Sequence, residues 1–200
     1  MVDLSKSTEF NLQGKTEEKR LIILCETKRN YLSFIQSLKH RYNGKNPYLP
    51  NYVISRDGEV YKVMEPNSYS KFMNNDKIDK RAIIVCLENL GWLKKNALDG
   101  TYLNWIGDIY KKEVFEKKWR DKFYWQPYNK EKQINSLVEL IKGLCDDFEI
   151  PKDCPETNVI IENIENYKGV VSKSSFSFMF KDLNPSFDFK LLKKKLKNNE

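Results

Sequence analysis

Two unbroken apolar runs anchor the pattern of this chain, Arg20–Cys25 (RLIILC) and Arg81–Leu87 (RAIIVCL). Runs of this length without alternation suit strands buried on both faces. Between them, Tyr31, Phe34, Ile35, Leu38 and Tyr42 recur at helical spacing, with Asn30 placed to cap the helix and Asn43-Gly44 to end it. Two β-rich runs, 51–56 and 59–64, flank Asp57-Gly58, a two-residue turn signal because both residues tolerate positive φ. Residues 65–80 are polar and read as a loop. A second amphipathic stripe, Ile134, Leu137, Val138, Ile141, Leu144, Cys145 and Phe148, predicts a helix capped by Asn129 and stopped at Ile150-Pro151. Gly169–Ser172 reads as a last short strand, and Leu191, Leu192 and Leu196 mark a terminal helix.

The order β-α-ββ-β-α-β-α predicts an α/β domain with a mixed central sheet flanked by helices. Residues 1–19 are expected to form a polar N-terminal arm and 20–200 one domain, with a basic C-terminal helix at about 187–198. One stretch breaks the pattern. Residues 93–128 are dense in aromatics and lysines with no clean period, and read as a long insertion that packs or presents its own rings. Trp105, Trp119, Trp125 and Tyr128 are its candidates for a protein interface or for stacking on sugars.

Composition narrows the classes. The chain is 40% hydrophobic and 13% aromatic, which suits a globular domain. No apolar run is long enough to span a bilayer, and the N-terminus lacks a signal-peptide core, so synthesis and folding in a cytoplasm are expected. The net charge of +7 lies largely in the tail from Lys190 to Lys197, which reads as a solvated helix end. The lysine-rich insertion also carries Asp108, Glu113, Glu116 and Asp121, so nucleic acid is not an expected partner. The four cysteines, Cys25, Cys86, Cys145 and Cys154, form no C-x-x-C pair and are expected to be buried reduced thiols.

Several segments in this order resemble the zinc-dependent N-acetylmuramoyl-L-alanine amidase family, which includes phage amidases and peptidoglycan recognition proteins. YVISRDGEVYKVMEP resembles the family's strand, Asp-Gly turn, strand and proline. AIIVCLENLGWL resembles its Ile-Gly-Ile-Glu-Leu-x-Asn strand, FEIP the end of its long helix, and NPSFDF its closing Asp-Pro-Gly-x-x-Phe-Asp-Trp. The resemblance covers most of residues 20–196 and implies an amidase-like fold.

Carried over by position, the resemblance puts the first zinc-ligand histidine on Cys25, the second near Lys173 and the third ligand on Asn184. The catalytic glutamate falls at Cys86, with Glu88 two residues away, and a substrate-side histidine falls on Asn51. The chain holds one histidine, His40, which lies off the apolar stripe of its helix. Zinc sites are built from imidazole, thiolate and carboxylate; lysine repels the ion and asparagine binds it poorly. Glu26, Asp182 and Asp188 are the carboxylates that could rebuild a site. The expectation is therefore a degenerate site with no metal and no cofactor, and a chain that is not an enzyme. On this reading it is a structural component of a phage tail or baseplate, with other virion or assembly proteins as partners. The alternatives are a peptidoglycan-binding module and a divergent amidase.

Overall fold

The computed structural model describes residues 1–4 and 17–198. Most of the expected N-terminal arm lies outside the described residues. Its first strand, β1 (Val2–Asp3), pairs in parallel with Tyr61 and Lys62.

The two apolar runs form β2 (Leu21–Glu26) and β5 (Ala82–Leu87), which lie side by side in parallel, with Leu21 opposite Ala82 through Glu26 opposite Leu87. Helix α1 (Tyr31–His40) begins at Asn30, whose side chain accepts from Ser33 N, and ends on the exposed His40. The hairpin forms β3 (Tyr52–Ile54) and β4 (Val60–Lys62), with Gly58 at φ +86° in its turn. The polar loop that follows contains one short helix absent from the sequence reading, α2 (Asp76–Asp79), capped by Asn75.

The aromatic insertion is ordered as five short strands: β6 (Trp92–Lys95), β7 (Tyr102–Leu103), β8 (Ile109–Tyr110), β9 (Phe115–Trp119) and β10 (Lys122–Trp125). They form a separate antiparallel sheet in the order β8-β7-β6-β10-β9. Strands of two to five residues separated by turns carry too few positions for a period-2 pattern to show. The chain closes with α3 (Lys132–Asp147), β11 (Gly169–Ser172) and α4 (Phe189–Lys197). Asn129 Oδ1 accepts from Glu131 N and Lys132 N at the start of α3, and Asp188 caps α4.

Among the described residues the main sheet runs β1-β4-β3-β5-β2-β11, parallel except where β4 turns back on β3. Because β2 and β5 are central, both faces must be covered by apolar groups. Ile22, Leu24, Ile83 and Val85 pack under α3 and α4 through Leu137, Ile141, Leu192 and Leu196. Ile23, Cys25, Ile84 and Cys86 pack on the other face with Phe34 and Leu38 of α1. The result is a mixed sheet between helices, as expected.

The parallel register sets Cys25 opposite Cys86 with Cα atoms 4.6 Å apart, and the two are joined by a disulfide. This corrects the expectation of four reduced thiols. Cys145 and Cys154 are free and buried, and burial pushes their thiols up to about 11 and about 12, which keeps them unreactive.

Candidate functional site

Parallel strands bring their C-terminal ends to one edge of the sheet, and ligands of open α/β sheets bind outside those ends. Glu26, Leu87 and Ser172 end β2, β5 and β11 there. The chain leaves β2 through Thr27 and Lys28, the latter held in the left-handed region at φ 59°. Over this edge opens a cleft of about 580 Å³ lined by Glu26, Lys28, Arg29, Arg41, Tyr48, Phe72, Cys86, Trp92, Trp105 and Lys173, among others. That volume suits a small-molecule or peptide site.

The floor beside the cleft is a buried polar network centred on Glu26. Its Oε1 accepts from Asn184 N at 2.9 Å, from Asn184 Nδ2 at 3.0 Å and from the Tyr128 hydroxyl. Its Oε2 accepts from Lys28 Nζ, which also donates to Lys181 O at 2.8 Å. Asp182 Oδ1 accepts from Glu26 N, and Asn184 Nδ2 reaches Asn89 Oδ1 and Gln126 O. Gln126 Oε1 in turn accepts from Leu90 N, which ties the second sheet to the edge of the first. Burial, and then the Glu26 charge, push the Tyr128 hydroxyl well above the usual tyrosine range, so it stays a donor. Burial alone would lower Lys28, but Glu26 and Asp182 outweigh it and hold its ammonium above the ordinary lysine value.

Sequence reasoning named Glu26 and Asp182 only as spare carboxylates. The network around them joins residues from four segments, and no local signal in the sequence links them. Gly91 is the small contributor that permits it. At φ +76°, a Cβ there would stand 3.0 Å from Lys28 Cδ and Nζ and 3.2 Å from Glu26 Oε2. Gly91→Ala is therefore expected to cost about 1–2 kcal/mol from its left-handed backbone and to displace the Lys28 ammonium. Urea denaturation would measure the cost.

The positions carried over from the resemblance are distributed unevenly. Cys25, Cys86, Lys173 and Asn184 gather at this edge: Leu24 pairs with Ser172, Cys25 with Cys86, and Asn184 bonds Glu26. Asn51 lies at the start of β3, outside the cleft lining. There it is fully buried and laces strands together, accepting from Ile84 N and donating to Glu65 O. Of the four aromatics expected to present a face, only Trp105 stands in the cleft. It is 45% exposed, donates its indole N–H to Lys28 O and lies 5.3 Å from the Arg29 guanidinium. Trp119 lines a separate pocket beside Phe115, Lys117 and Pro185. Trp125 and Tyr128 are instead buried: Trp125 packs against Trp119 and donates its indole N–H to Lys117 O within the second sheet, and Tyr128 joins the core under α3 and α4.

The donor chemistry at this edge does not fit zinc. The Cys25 sulfur is bonded to Cys86, Lys173 is a cation, and Asn184 spends its amide nitrogen on Glu26, Asn89 and Gln126 and its oxygen on Ser186. Asp188 is occupied as the α4 cap. Among the described residues no three histidine, cysteine, aspartate or glutamate side chains are placed to hold a metal.

A parallel-edged mixed sheet with this cleft defines an amidase and peptidoglycan-recognition type of α/β fold. The family model for N-acetylmuramoyl-L-alanine amidase matches residues 15–166, and the chain belongs to that family. N-acetylmuramoyl-L-alanine amidase LysC from Clostridium intestinale is similar in structure at a TM-score of 0.58 and 14% identity, over 98% of this chain and 95% of that one. AmpDh3 from Pseudomonas aeruginosa, solved with an anhydromuramic pentapeptide, matches at 0.55 and 14% identity; 90% of this chain spans 60% of that one. The complex of the ectodomains of peptidoglycan recognition proteins LCa and LCx with tracheal cytotoxin matches at 0.54 and 13% identity, over 97% and 96% of the two chains. No curated protein sequence matches the chain.

Family membership corrects one expectation outright. The chain was expected not to be an enzyme because the ligand positions lack histidine, but the family it joins is one of amidases, and the similar structures include named amidases. Missing imidazoles speak to zinc ligation; they do not decide whether the cleft turns over a substrate.

Proposed function

We propose that this protein takes muramyl peptides of the bacterial cell wall into the cleft at the C-terminal ends of β2, β5 and β11, as a divergent member of the amidase family. The observation that carries the reading is the lining of that cleft. Lys28, Arg29, Arg41 and Lys173 surround one carboxylate, Glu26, and Tyr48, Phe72, Trp92 and Trp105 stand among them. Glu26 is already committed to four donors, so the excess charge facing a ligand is positive. A peptide stem ends in a carboxylate, and a sugar ring presents C–H faces that stack on indole. The ligands of AmpDh3 and of the recognition-protein complex are fragments of this kind.

The family supplies the candidate reaction, hydrolysis of the amide between the muramoyl group and L-alanine. Chelator-treated protein incubated with a muramyl pentapeptide tests both parts. Binding is read by calorimetry and release of free peptide by mass spectrometry. Binding in the micromolar range, about −8 kcal/mol, is the expected result. Failure to bind either the soluble fragment or purified sacculi would overturn the reading. Assembly into a phage tail or baseplate is favoured by none of these contacts.

A further inference from the structure

Lys173 is an unusual cation. It begins the single turn Lys173–Ser175 directly after β11, and its Nζ lies 4.7 Å from the ring centroids of both Phe72 and Phe180. Of the other cations bordering the cleft, Lys28 is paired with Glu26, Arg29 lies over the exposed Trp105, and Arg41 completes the lining. Lys173 makes no ion pair among the described residues, although ten such pairs occur elsewhere. Two ring faces attract and orient an ammonium without neutralising it. The buried Asp79 carboxylate feels the Lys173 charge from beyond ion-pair distance, and a cation without a contacting carboxylate at the wall of a partly enclosed cleft raises the local concentration of anions. The same edge brings Asn184 and the Cys25–Cys86 pair together, and none of these side chains offers a metal a free donor.

We infer that Lys173 is a carboxylate receptor, placed where the amidase resemblance puts a metal ligand, so that this cleft recognises its ligand by charge and without a metal. The inference rests on the proposed recognition of muramyl peptides and names the group of the ligand that is held. Its chemistry is an ammonium-to-carboxylate hydrogen bond, with Phe72 and Phe180 fixing the ammonium and excluding water from one side. Lys28 is a second cation in the same lining, held by Glu26 and Lys181 O with its third N–H available.

The test compares a muramyl pentapeptide with free carboxylates and the same compound with its carboxylates amidated, by calorimetry in EDTA. The free acid should bind about tenfold tighter than the amide, as expected of a charge-assisted hydrogen bond. Lys173→Met should erase that preference, bringing the free acid and the amide to the same affinity, and Lys173→Arg should retain it. Added zinc should change none of these values. A preference that survives in Lys173→Met, or affinity that vanishes on chelation and returns with zinc, would sink the inference. Acetate titration followed through the Trp105 indole N–H resonance separates the two readings. If muramyl peptides do not bind but acetate shifts that resonance in the wild type and not in Lys173→Met, the functional reading fails and the receptor stands. If muramyl peptides bind with no carboxylate preference, the receptor fails alone.

Discussion

Glu26→Ala should lower stability by about 3–5 kcal/mol, the usual cost of removing one partner from a buried charge pair. Only 5% of Glu26 is exposed, and it is the common acceptor for Lys28, Tyr128 and Asn184. Alanine would leave an ammonium, a hydroxyl and two amide N–H donors facing an apolar gap. Water cannot repair this without opening the seam between the two sheets, because Asn184 also bridges to Gln126 O and Asn89. Removing both charges together, as in Glu26→Gln with Lys28→Met, should cost far less, since paired replacement leaves no uncompensated ion. Chemical denaturation of the two variants gives the contrast; equal losses would show that the hub contributes through packing and not through charge.

Loss of the Cys25–Cys86 disulfide should have the next largest effect, about 2–4 kcal/mol. The bond closes a segment with a sequence separation of 61 and joins the two central strands at paired positions. Reductant, or Cys25→Ala with Cys86→Ala, should lower the melting temperature, and alkylation of the denatured, unreduced chain should label only Cys145 and Cys154. Four labelled cysteines would refute the bond. Because both sulfurs lie beneath the cleft, with Cys86 in its lining, the reduced protein should also bind muramyl peptide more weakly. No described helix is long and apolar enough to cross a membrane.

Much of the scaffold was legible because it depends on local patterns. Unbroken apolar runs announced β2 and β5, helical stripes announced α1 and α3, and Asp57-Gly58 announced the hairpin. Capping by Asn30 and Asn129 followed from side-chain oxygens that can serve only the next few N–H groups. The strands within the insertion were not legible for the converse reason. Its strands gain their order from pairing with one another and from the Gln126 bridges to the loop after β5, and such pairing leaves little trace in a two-residue segment.

The sequence by itself determined the fold class, the family resemblance and the presence of a single histidine, His40. All three are properties of residue identity and order along one chain. Only the tertiary structure decided that Cys25 meets Cys86, that Trp125 and Tyr128 are core, that Glu26 gathers its donors, and that Lys173 faces the cleft between two phenyl rings. These are meetings between residues remote in sequence, fixed by strand register and by which face of the sheet each side chain takes, and a linear pattern carries neither.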